Sequence, residues 1–435
     1  MIRRSACLAA LFLGACAGFD PLTSADSERV AAFDFYWEQL ADNYPFFGKD
    51  LLDWKEVRRQ YRAAVPFAQR PHEFFHLLSG MFSELNDPHI SYTPPEDGWV
   101  EDGVQPTSLL DRPGFDLMVV EGRVYVVGWP GGEAPEPPED LPHHARFPQL
   151  WRVNGSKIVS SLLGNLMIGP PGSPVELQLR WNDEVVTRHV VARPEAGVVA
   201  RGSWLAHLAR PQQQLAEYDG DRDYGVLRLH TMNQVLLGEA LGAVDAWIDQ
   251  AMEKDGLVLD LRRNYGGNLE VGRQIVGRFL PEATDLVFVT AQEQVTTIWP
   301  FSVELFLLVQ FAPRGKRYDK PLVILTSSMT ASMAEHAARI LQRDCGAIVI
   351  GERTAGAEAG IERVYGPEGG VLEYSETRLV DRTGVGFQDE GVVPDVSVRL
   401  RIEDVAAFGP KRSARDWEQR LFDAAERAIR SARRR

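Results

Sequence analysis

The sequence stretch that decides the fold is Leu257-Val-Leu-Asp-Leu-Arg-Arg-Asn-Tyr-Gly-Gly267, an apolar run that ends in a polar turn with two glycines. Two similar apolar runs follow it, Pro321–Leu325 and Ala347–Ile350. Uninterrupted apolar runs of this length are typical of strands buried on both faces of a sheet. Segments with helical spacing come after the first two runs, at Leu269–Phe279 and Ala331–Gln342. The alternation predicts β-α-β crossovers and an α/β core.

We place the α/β core at residues 200–402. Three further regions precede or follow it in the sequence. Residues 26–92 carry aromatic residues at helical spacing and predict an N-terminal helical domain. Residues 104–195 change to short β-like runs, including Arg123–Val127 and Val175–Trp181, between Pro- and Gly-rich turns. The stretch Leu150–Ile158 followed by Gly169–Leu179, with a strand, a short helix and an apolar strand, resembles the second half of a PDZ domain. Such domains bind extended peptides by adding a strand to a sheet edge, although a β-rich structural domain without a ligand stays an alternative. Residues 411–435 predict an amphipathic C-terminal helix with its apolar face around Trp417, Leu421, Phe422 and Ile429.

The composition limits the class of partner. The chain has 435 residues, of which 44% are hydrophobic, enough to bury large cores. Lys and Arg number 47 and Asp and Glu number 61, which gives a formal net charge of -14. Nucleic-acid binding gains most of its affinity from basic surfaces, so we expect no nucleic-acid partner. With only three cysteines, no disulfide framework is expected to hold the fold together.

Residues 1–16 have the layout of a secretory signal. Two arginines precede an apolar run that is too short to span a bilayer, and small residues come before Cys16. The ending Leu13-Gly-Ala-Cys16 resembles a bacterial lipobox, which implies cleavage before Cys16 and a lipid anchor on its thiol. By the same resemblance, Ala17 in place of Asp favours the outer membrane, facing the periplasm. The alternative is an ordinary signal cut nearby, which releases the chain.

Two elements with chemical potential lie where buried strands are predicted to end. Gly266 and Gly267 allow the backbone to approach a ligand closely, and N–H groups at such a turn can stabilise an oxyanion. Ser332 lies where the next strand enters a helix, so the helix N-terminus and the N–H of Met333 favour a developing alkoxide. The alternative is that Ser332 only caps the helix, with Glu335 near the capping-box position.

Together with the segment Gly351–Gly356, these elements resemble, in order and spacing, the C-terminal-processing and tricorn-type serine peptidases. The resemblance also includes the segments Leu85-Asn-Asp-Pro-His89 and Glu390-Gly-Val-Val-Pro-Asp395. It implies an α/β peptidase core that needs no metal or cofactor. The family's nucleophile stands three residues before the Glu of the serine helix, which corresponds here to Ser332. The resemblance also implies that Met333 and Gly266 or Gly267 form the oxyanion hole.

The general base distinguishes the two branches of this family. The C-terminal-processing branch has a lysine about 25 residues after the nucleophile, but Ala357 occupies that position here, and no lysine occurs between Lys320 and Lys411. The tricorn-like branch uses a histidine from the N-terminal part and a glutamate from the C-terminal part. The matching residues are His89 and Glu390, so the resemblance assigns His89 as the base and Glu390 as its orienting acid.

One residue departs from the tricorn pattern. A serine precedes the histidine there and links it to the glutamate, whereas Pro88, which has no hydroxyl, precedes His89 here. Asp87 or Ser91 could supply the missing link.

Two rival readings of the histidines remain. His336 follows Ser332 by one helical turn and could serve as the base by i, i+4 geometry, although a side chain inside the helix usually points away from the substrate. The segment His72-Glu-Phe-Phe-His76 fits the HExxH pattern of zinc peptidases, but that pattern needs a third ligand, and Glu96 stands in a turn. We expect no metal site here, with the aromatic residues in the core and both histidines facing water.

The sequence thus predicts an envelope serine endopeptidase that cleaves extended or unfolded proteins. Its partners would be a protein or peptide substrate and, through the N-terminal anchor, a membrane. The alternative is a binding protein that keeps the peptidase fold without its chemistry and takes a hydrophobic ligand or a peptide. A serine esterase with the same nucleophile is a third option.

Overall fold

The computed structural model describes residues 24–47, 52–68, 70–95, 116–128, 147–158, 174–181, 184–191, 216–233, 237–290, 295–298, 301–304, 307–381 and 383–434. The predicted signal with Cys16 therefore lies outside the described residues. The α-helices of these ranges are α1 (Ser24–Asn43), α2 (Trp54–Arg62), α3 (Pro71–Ser83), α4 (Glu239–Ala251), α5 (Leu269–Val276), α6 (Met333–Cys345), α7 (Ile402–Phe408) and α8 (Pro410–Ala432). No described helix is both long enough and apolar enough to cross a membrane.

The strands of the described ranges form three larger sheets and one hairpin. In chain order they are β1 (Ser91–Thr93), β2 (Asp116–Val120), β3 (Arg123–Gly128), β4 (Gln149–Val153), β5 (Ser156–Lys157), β6 (Pro174–Trp181), β7 (Glu184–Val191), β8 (Ala216–Asp219), β9 (Gly225–Leu229), β10 (Leu257–Asp260), β11 (Thr284–Thr290), β12 (Val295–Ile298), β13 (Phe301–Glu304), β14 (Leu307–Phe311), β15 (Leu322–Thr326), β16 (Ile348–Gly351), β17 (Gly360–Tyr365), β18 (Val371–Asp381) and β19 (Val396–Ser397).

The N-terminal helices form as the aromatic spacing predicted. Local signals set where they begin: Asp53 caps α2 by accepting a hydrogen bond from the Glu56 N–H at 3.1 Å, and Pro71 occupies the first turn of α3. The helices bury an aromatic core together with Leu372 and Tyr374 of β18. The helical region and one sheet of the α/β core therefore share a hydrophobic core.

The middle region is an antiparallel sheet with the strand order β2-β3-β4-β6-β7, and β5 pairs with β4. The predicted runs at Arg123–Val127 and Val175–Trp181 are β3 and β6. Leu150, Leu177 and Trp181 belong to the sheet's core, and Met329 from the turn after β15 packs into the same cluster. The short helix predicted within the PDZ-like segment lies outside the described residues. A β-rich region thus packs directly against the turn that carries the candidate serine.

The α/β core is built on a six-stranded sheet with the order β19-β16-β15-β10-β9-β8. Neighbouring strands pair in parallel from β19 to β9, and only β8 pairs antiparallel. α6 connects β15 to β16, which confirms the second of the predicted β-α-β units. α5 follows β10 as expected, but β11 to β14 come between α5 and β15, and a further helix, α4, connects β9 to β10. Trp417, Leu421 and Ile429 of α8 are buried and belong to a cluster with residues of this sheet. The expected α/β class is therefore confirmed.

Candidate active site

The turn after β10 and the turn after β15 lie side by side at one edge of the parallel sheet. β10 and β15 are paired with Asp260 opposite Leu325, so their carboxyl ends meet. The Ala331 N–H donates to the Asn264 carbonyl at 3.0 Å, and the Thr330 hydroxyl donates to the Leu261 carbonyl at 2.9 Å. These bonds hold the glycine turn and the serine turn in one rigid unit.

Gly266 provides the closest approach between the two turns. Its φ is 92°, a conformation that side chains rarely adopt. A Cβ atom at this position would lie 2.7 Å from the Ser332 Cβ, and at the same distance from the Ala331 carbonyl oxygen and the Met333 nitrogen. Only glycine fits here, and its absent side chain leaves the backbone stacked against Ser332.

Ser332 itself has a strained backbone. Its φ of 55° and ψ of -128° lie in a region that costs a non-glycine residue about 1–3 kcal/mol. The other non-glycine residues with positive φ in the described ranges are Asn, Asp or Glu. A strained turn between a strand and a helix is the device by which α/β hydrolases expose a nucleophilic serine. Ser332 is partly accessible and immediately precedes α6, so its position is suited to nucleophilic attack.

The structure separates the candidate oxyanion donors. The Gly266 N–H donates to the Asn264 side-chain oxygen at 2.9 Å and is therefore occupied. The Gly267 N–H has no hydrogen-bond acceptor among the described residues. Met333 is the first residue of α6, and the N–H groups of a helix's first turn have no acceptor within the helix. Met333 and Gly267 thus keep N–H groups that a ligand could use.

Glu335 does more than the capping role that its sequence position predicted. Its fully buried carboxylate accepts hydrogen bonds from the N–H groups of Ser332 at 2.9 Å, Gly356 at 2.8 Å and Ala357 at 2.9 Å. It also accepts a bond from the Thr354 hydroxyl. Burial raises the pKa of Glu335 to about 7, against the effect of these donors, which favour the charged form. The capping-box position was the only signal in the sequence, and it gave no hint of the loop at residues 354–357.

His89 lies in a buried position next to an acid. Its side chain is 7% exposed, and its Nδ1 lies 3.9 Å from Oδ1 of Asp87. The same Asp87 oxygen accepts a hydrogen bond from the His89 main-chain N–H at 2.8 Å. Burial lowers the pKa of His89, while the charge of Asp87 acts in the opposite direction. Neither ring nitrogen has a hydrogen-bond partner in the described part of the chain, so no bond joins His89 to Ser332 in this conformation.

His336, the rival base, is buried in α6 on the side that faces His89. Its Nε2 donates to the Glu358 carbonyl at 2.8 Å, and its ring lies 4.8 Å from that of Phe387. Burial, together with a smaller effect of the charge of His89, lowers the pKa of His336 to about 4. Because of these surroundings, His336 is a neutral, internally bonded histidine.

Glu390, unlike His89, lies at the surface. Glu390 is exposed, and its main-chain carbonyl accepts a hydrogen bond from Arg353 Nη1 at 2.7 Å. The acid that influences the pKa of His89 is Asp87, one of the two substitutes that the sequence suggested for the missing serine. The role of Glu390 as the orienting acid remains a prediction.

The HExxH segment lies on α3, and its environment is structural. His72 is only 8% exposed, so the expectation that both histidines face water is wrong for this one: it lies on the buried face of the helix. His76 Nε2 lies 3.2 Å from the side-chain nitrogen of Asn154. The described ranges contain no group of three or more His, Cys, Asp or Glu residues placed to hold a metal ion. Glu96 lies outside those ranges.

Comparisons with known proteins agree with this architecture. Residues 223–398 match peptidase family S41, and residues 25–83 match the tricorn protease C1 domain. A carboxyl-terminal-processing protease from Synechocystis sp. is 26% identical over 352 residues, which cover 78% of this chain and 74% of that protein. The tricorn protease homolog 1 of Streptomyces coelicolor is 25% identical over 411 residues, 86% of this chain and 33% of that protein. The chain thus spans about a third of the length of that relative.

Solved structures show the same fold at low sequence identity. Mature CPAF aligns with a TM-score of 0.60 and 14% identity, covering 94% of this chain and 99% of that chain. A putative peptidase from Parabacteroides merdae aligns with a TM-score of 0.52 and 16% identity, covering 92% and 96% of the two chains. These matches support a serine-type peptidase that is similar to the tricorn and C-terminal-processing proteases and that acts on protein or peptide substrates.

Proposed function

We propose that this peptidase is an endopeptidase of the bacterial envelope in which Ser332 is the nucleophile and His89 the general base. The observation that carries the proposal is the strained backbone of Ser332, stacked on Gly266 at the N-terminus of α6. Strain of this kind persists only where the surrounding structure fixes it, and it concentrates at active sites. A serine that served only as a helix cap would not need it.

In the proposed reaction, Ser332 Oγ attacks the carbonyl carbon of a peptide bond. His89 takes the hydroxyl proton as the new C–O bond forms, and the carbonyl oxygen becomes an oxyanion. The N–H groups of Met333 and Gly267 stabilise this oxyanion, and one such donor is typically worth about 3 kcal/mol. His89 then gives the proton to the leaving amine, and water hydrolyses the acyl-enzyme by the same steps in reverse order.

The electrostatics of His89 suit this role. Burial lowers its pKa, so the ring is neutral at pH 7 and able to accept a proton. The imidazolium that forms during catalysis has the carboxylate of Asp87 beside it, at 3.9 Å from Nδ1. We therefore assign to Asp87 at least part of the task that the family pattern gives to Glu390. Catalysis requires a hydrogen bond between His89 and Ser332, and such bonds often form or tighten only when substrate binds.

We infer the substrate and the cellular location of the enzyme from other parts of the chain. We expect the antiparallel sheet of β2 to β7 to act as the PDZ-like module that presents an extended protein segment by strand addition. Its contact with Met329, three residues before Ser332, supports delivery of the segment to the site. The lipid anchor at Cys16 would hold the enzyme at the outer membrane, facing the periplasm.

The second candidate function is a binding protein that has lost catalysis. Pro88 removes the hydroxyl that links acid and base in the tricorn pattern, and both His89 ring nitrogens are without hydrogen bonds in the described residues. Either function predicts a folded, stable chain, so only chemical reactivity separates them.

A fluorophosphonate probe, which labels activated serines, tests the proposal. Wild type is compared with Ser332→Ala, His89→Ala and His336→Ala, and Ser328→Ala serves as a control from the same turn. We expect labelling to vanish in the first two variants and to persist in the others. Labelling lost with His336→Ala but kept with His89→Ala would make His336 the base. A folded wild type that is not labelled would favour the binding protein.

A further inference from the structure

The helical region carries a surface cavity of about 580 Å³ that plays no part in the proposed chemistry. Trp37 of α1 lines it together with four cationic residues of α2, and Ala63 and Pro66 complete its wall. The cationic residues are Lys55, Arg58, Arg59 and Arg62. Phe67, next to this wall, is 57% exposed. A cavity with a cationic rim and aromatic walls is unexpected in a chain whose formal net charge is -14.

Acidic residues neutralise these cations only in part. Asp34 accepts hydrogen bonds from Arg58 and Arg62, and Glu38 lies 3.9 Å from Arg58. Glu56 binds Arg59 in an exposed pair, and such pairs are worth only about 0.2–1 kcal/mol. Lys55 is exposed and has no ion pair among the described residues. Four cations thus face three carboxylates, and a bound anion could replace Glu56 as the partner of Arg59.

Hydrogen-bond donors are also left over. Arg62 binds Asp34 through Nε alone, so neither of its terminal amino groups is used in the described residues. Arg58 stacks on Trp37, with its guanidinium carbon 4.4 Å from the ring centroid, which fixes its orientation. Guanidinium groups with spare N–H donors match the oxygens of a phosphate. The cavity therefore fits an anionic oxygen group beside an aromatic wall.

We infer that this cavity binds the head group of an anionic phospholipid when the enzyme is anchored to its membrane. The inference rests on the proposed lipid anchor at Cys16. Residues 17–23 separate Cys16 from the start of α1 and reach at most about 25 Å when extended. Trp37 lies 13 residues into α1, roughly 20 Å along its axis.

The cavity is thus within reach of the bilayer surface. Tryptophan and basic residues are the side chains that favour this interface. Contact there would orient the catalytic core relative to the membrane.

The test uses the full-length chain reconstituted in nanodiscs of phosphatidylcholine, with or without phosphatidylglycerol. A water-soluble acetylating reagent modifies lysines, and peptide mass spectrometry follows the rate at Lys55. The exposed Lys316 and Lys411 serve as internal references. One basic residue near an anionic surface gains about 1 kcal/mol, so we expect phosphatidylglycerol to slow acetylation of Lys55 by about fivefold relative to both references.

Two double variants check the assignment. Arg59→Gln with Arg62→Gln should abolish the protection of Lys55, whereas the exposed pair Arg412→Gln with Arg430→Gln on α8 should leave it intact. Equal acetylation of Lys55 in both kinds of nanodisc would overturn the head-group site. Protection by an acidic polypeptide without anionic lipid would overturn it in favour of a protein ligand.

The lipid anchor is tested separately in the same samples. The mass of the peptide that carries Cys16 reports acylation directly. An unacylated Cys16 would overturn the anchor and with it the argument from reach, whereas equal acetylation of Lys55 on an acylated chain in the two kinds of nanodisc would overturn the head-group site alone.

Discussion

Replacing Gly266 by alanine should damage the active site. The new Cβ would meet the Ala331 oxygen and the Met333 nitrogen at 2.7 Å, and these are backbone atoms that cannot rotate away. The left-handed φ of 92° adds a penalty of about 1–2 kcal/mol. Overpacking in a rigid site typically costs a further 1–3 kcal/mol, so the turn is destabilised by about 2–5 kcal/mol in all.

The strain can relax only by pushing the serine turn away from the glycine turn. Displacement of a reacting group by about 1 Å costs roughly 100-fold in rate. We therefore expect Gly266→Ala to lower the rate of fluorophosphonate labelling about 100-fold and to lower the midpoint of urea unfolding.

Alanine variants of two other glycines separate the effect of the clash from the effect of the backbone conformation. Gly238 also has a positive φ, 89°, but a Cβ there would meet no atom within 4 Å, so Gly238→Ala costs stability without affecting labelling. Gly242 lies inside α4 with open space around it, and Gly242→Ala should stabilise the helix by about 1 kcal/mol. Labelling of Gly266→Ala at the wild-type rate would refute the proposed packing of the two turns.

Three further predictions concern the surroundings of the site. Burial lowers the pKa of His336 to about 4, so below pH 6.5 the unfolded state binds more protons at this residue than the folded state does. By pH 4 this difference lowers the free energy of unfolding by about 3 kcal/mol. His336→Gln should therefore show a smaller drop in urea midpoint between pH 7 and pH 4 than wild type. Glu335→Gln leaves buried donors unpaired at about 1–3 kcal/mol each and should reduce both stability and labelling, whereas the exposed Glu282→Gln should change neither. Glu84→Ala removes the carboxylate that Lys157 binds at 2.8 Å. Amide hydrogen exchange in β4 and β5 should therefore accelerate, while exchange in α8 stays the same. Unchanged exchange in β4 and β5 would contradict a structural role for this ion pair.

Much of the fold could be predicted from the sequence because its signals are local. Three continuous apolar runs became β10, β15 and β16, each within a residue or two of the expected ends. Two of these strands enter helices that were expected from their spacing. The closing helix also buries the predicted residues Trp417 and Leu421. Burial on both faces of a parallel sheet leaves a pattern that a short window of sequence can show.

The site was predictable only where it is built from neighbouring residues. Ser332 and Met333 are adjacent in the chain, and their position at the start of a helix could be predicted from the sequence. Which glycine N–H stays available could not be predicted, because it depends on the hydrogen bond from Gly266 to Asn264. Three of the four donors to Glu335 come from a loop about 20 residues away, and no periodic pattern in the sequence predicts such a contact.

The histidines show the same limit. His72 stands in a metal-binding pattern, yet α3 turns it toward the core. Pro88 raised the question of what replaces the missing hydroxyl, and the position of Asp87 beside the His89 ring depends on how the chain folds at this turn. Side-chain direction within a turn is set by tertiary contacts, so sequence reasoning could offer the candidates without choosing among them.

The most direct test of the central claim is to locate the covalent adduct of a fluorophosphonate probe. The tryptic peptide that follows Arg317 and ends at Arg339 carries Ser327, Ser328 and Ser332, so tandem mass spectrometry of this peptide distinguishes the three hydroxyls. The account predicts the adduct on Ser332 alone, with the rate of modification rising with pH through the lowered pKa of His89. An adduct on Ser327 or Ser328, or a folded chain with no adduct, would contradict it.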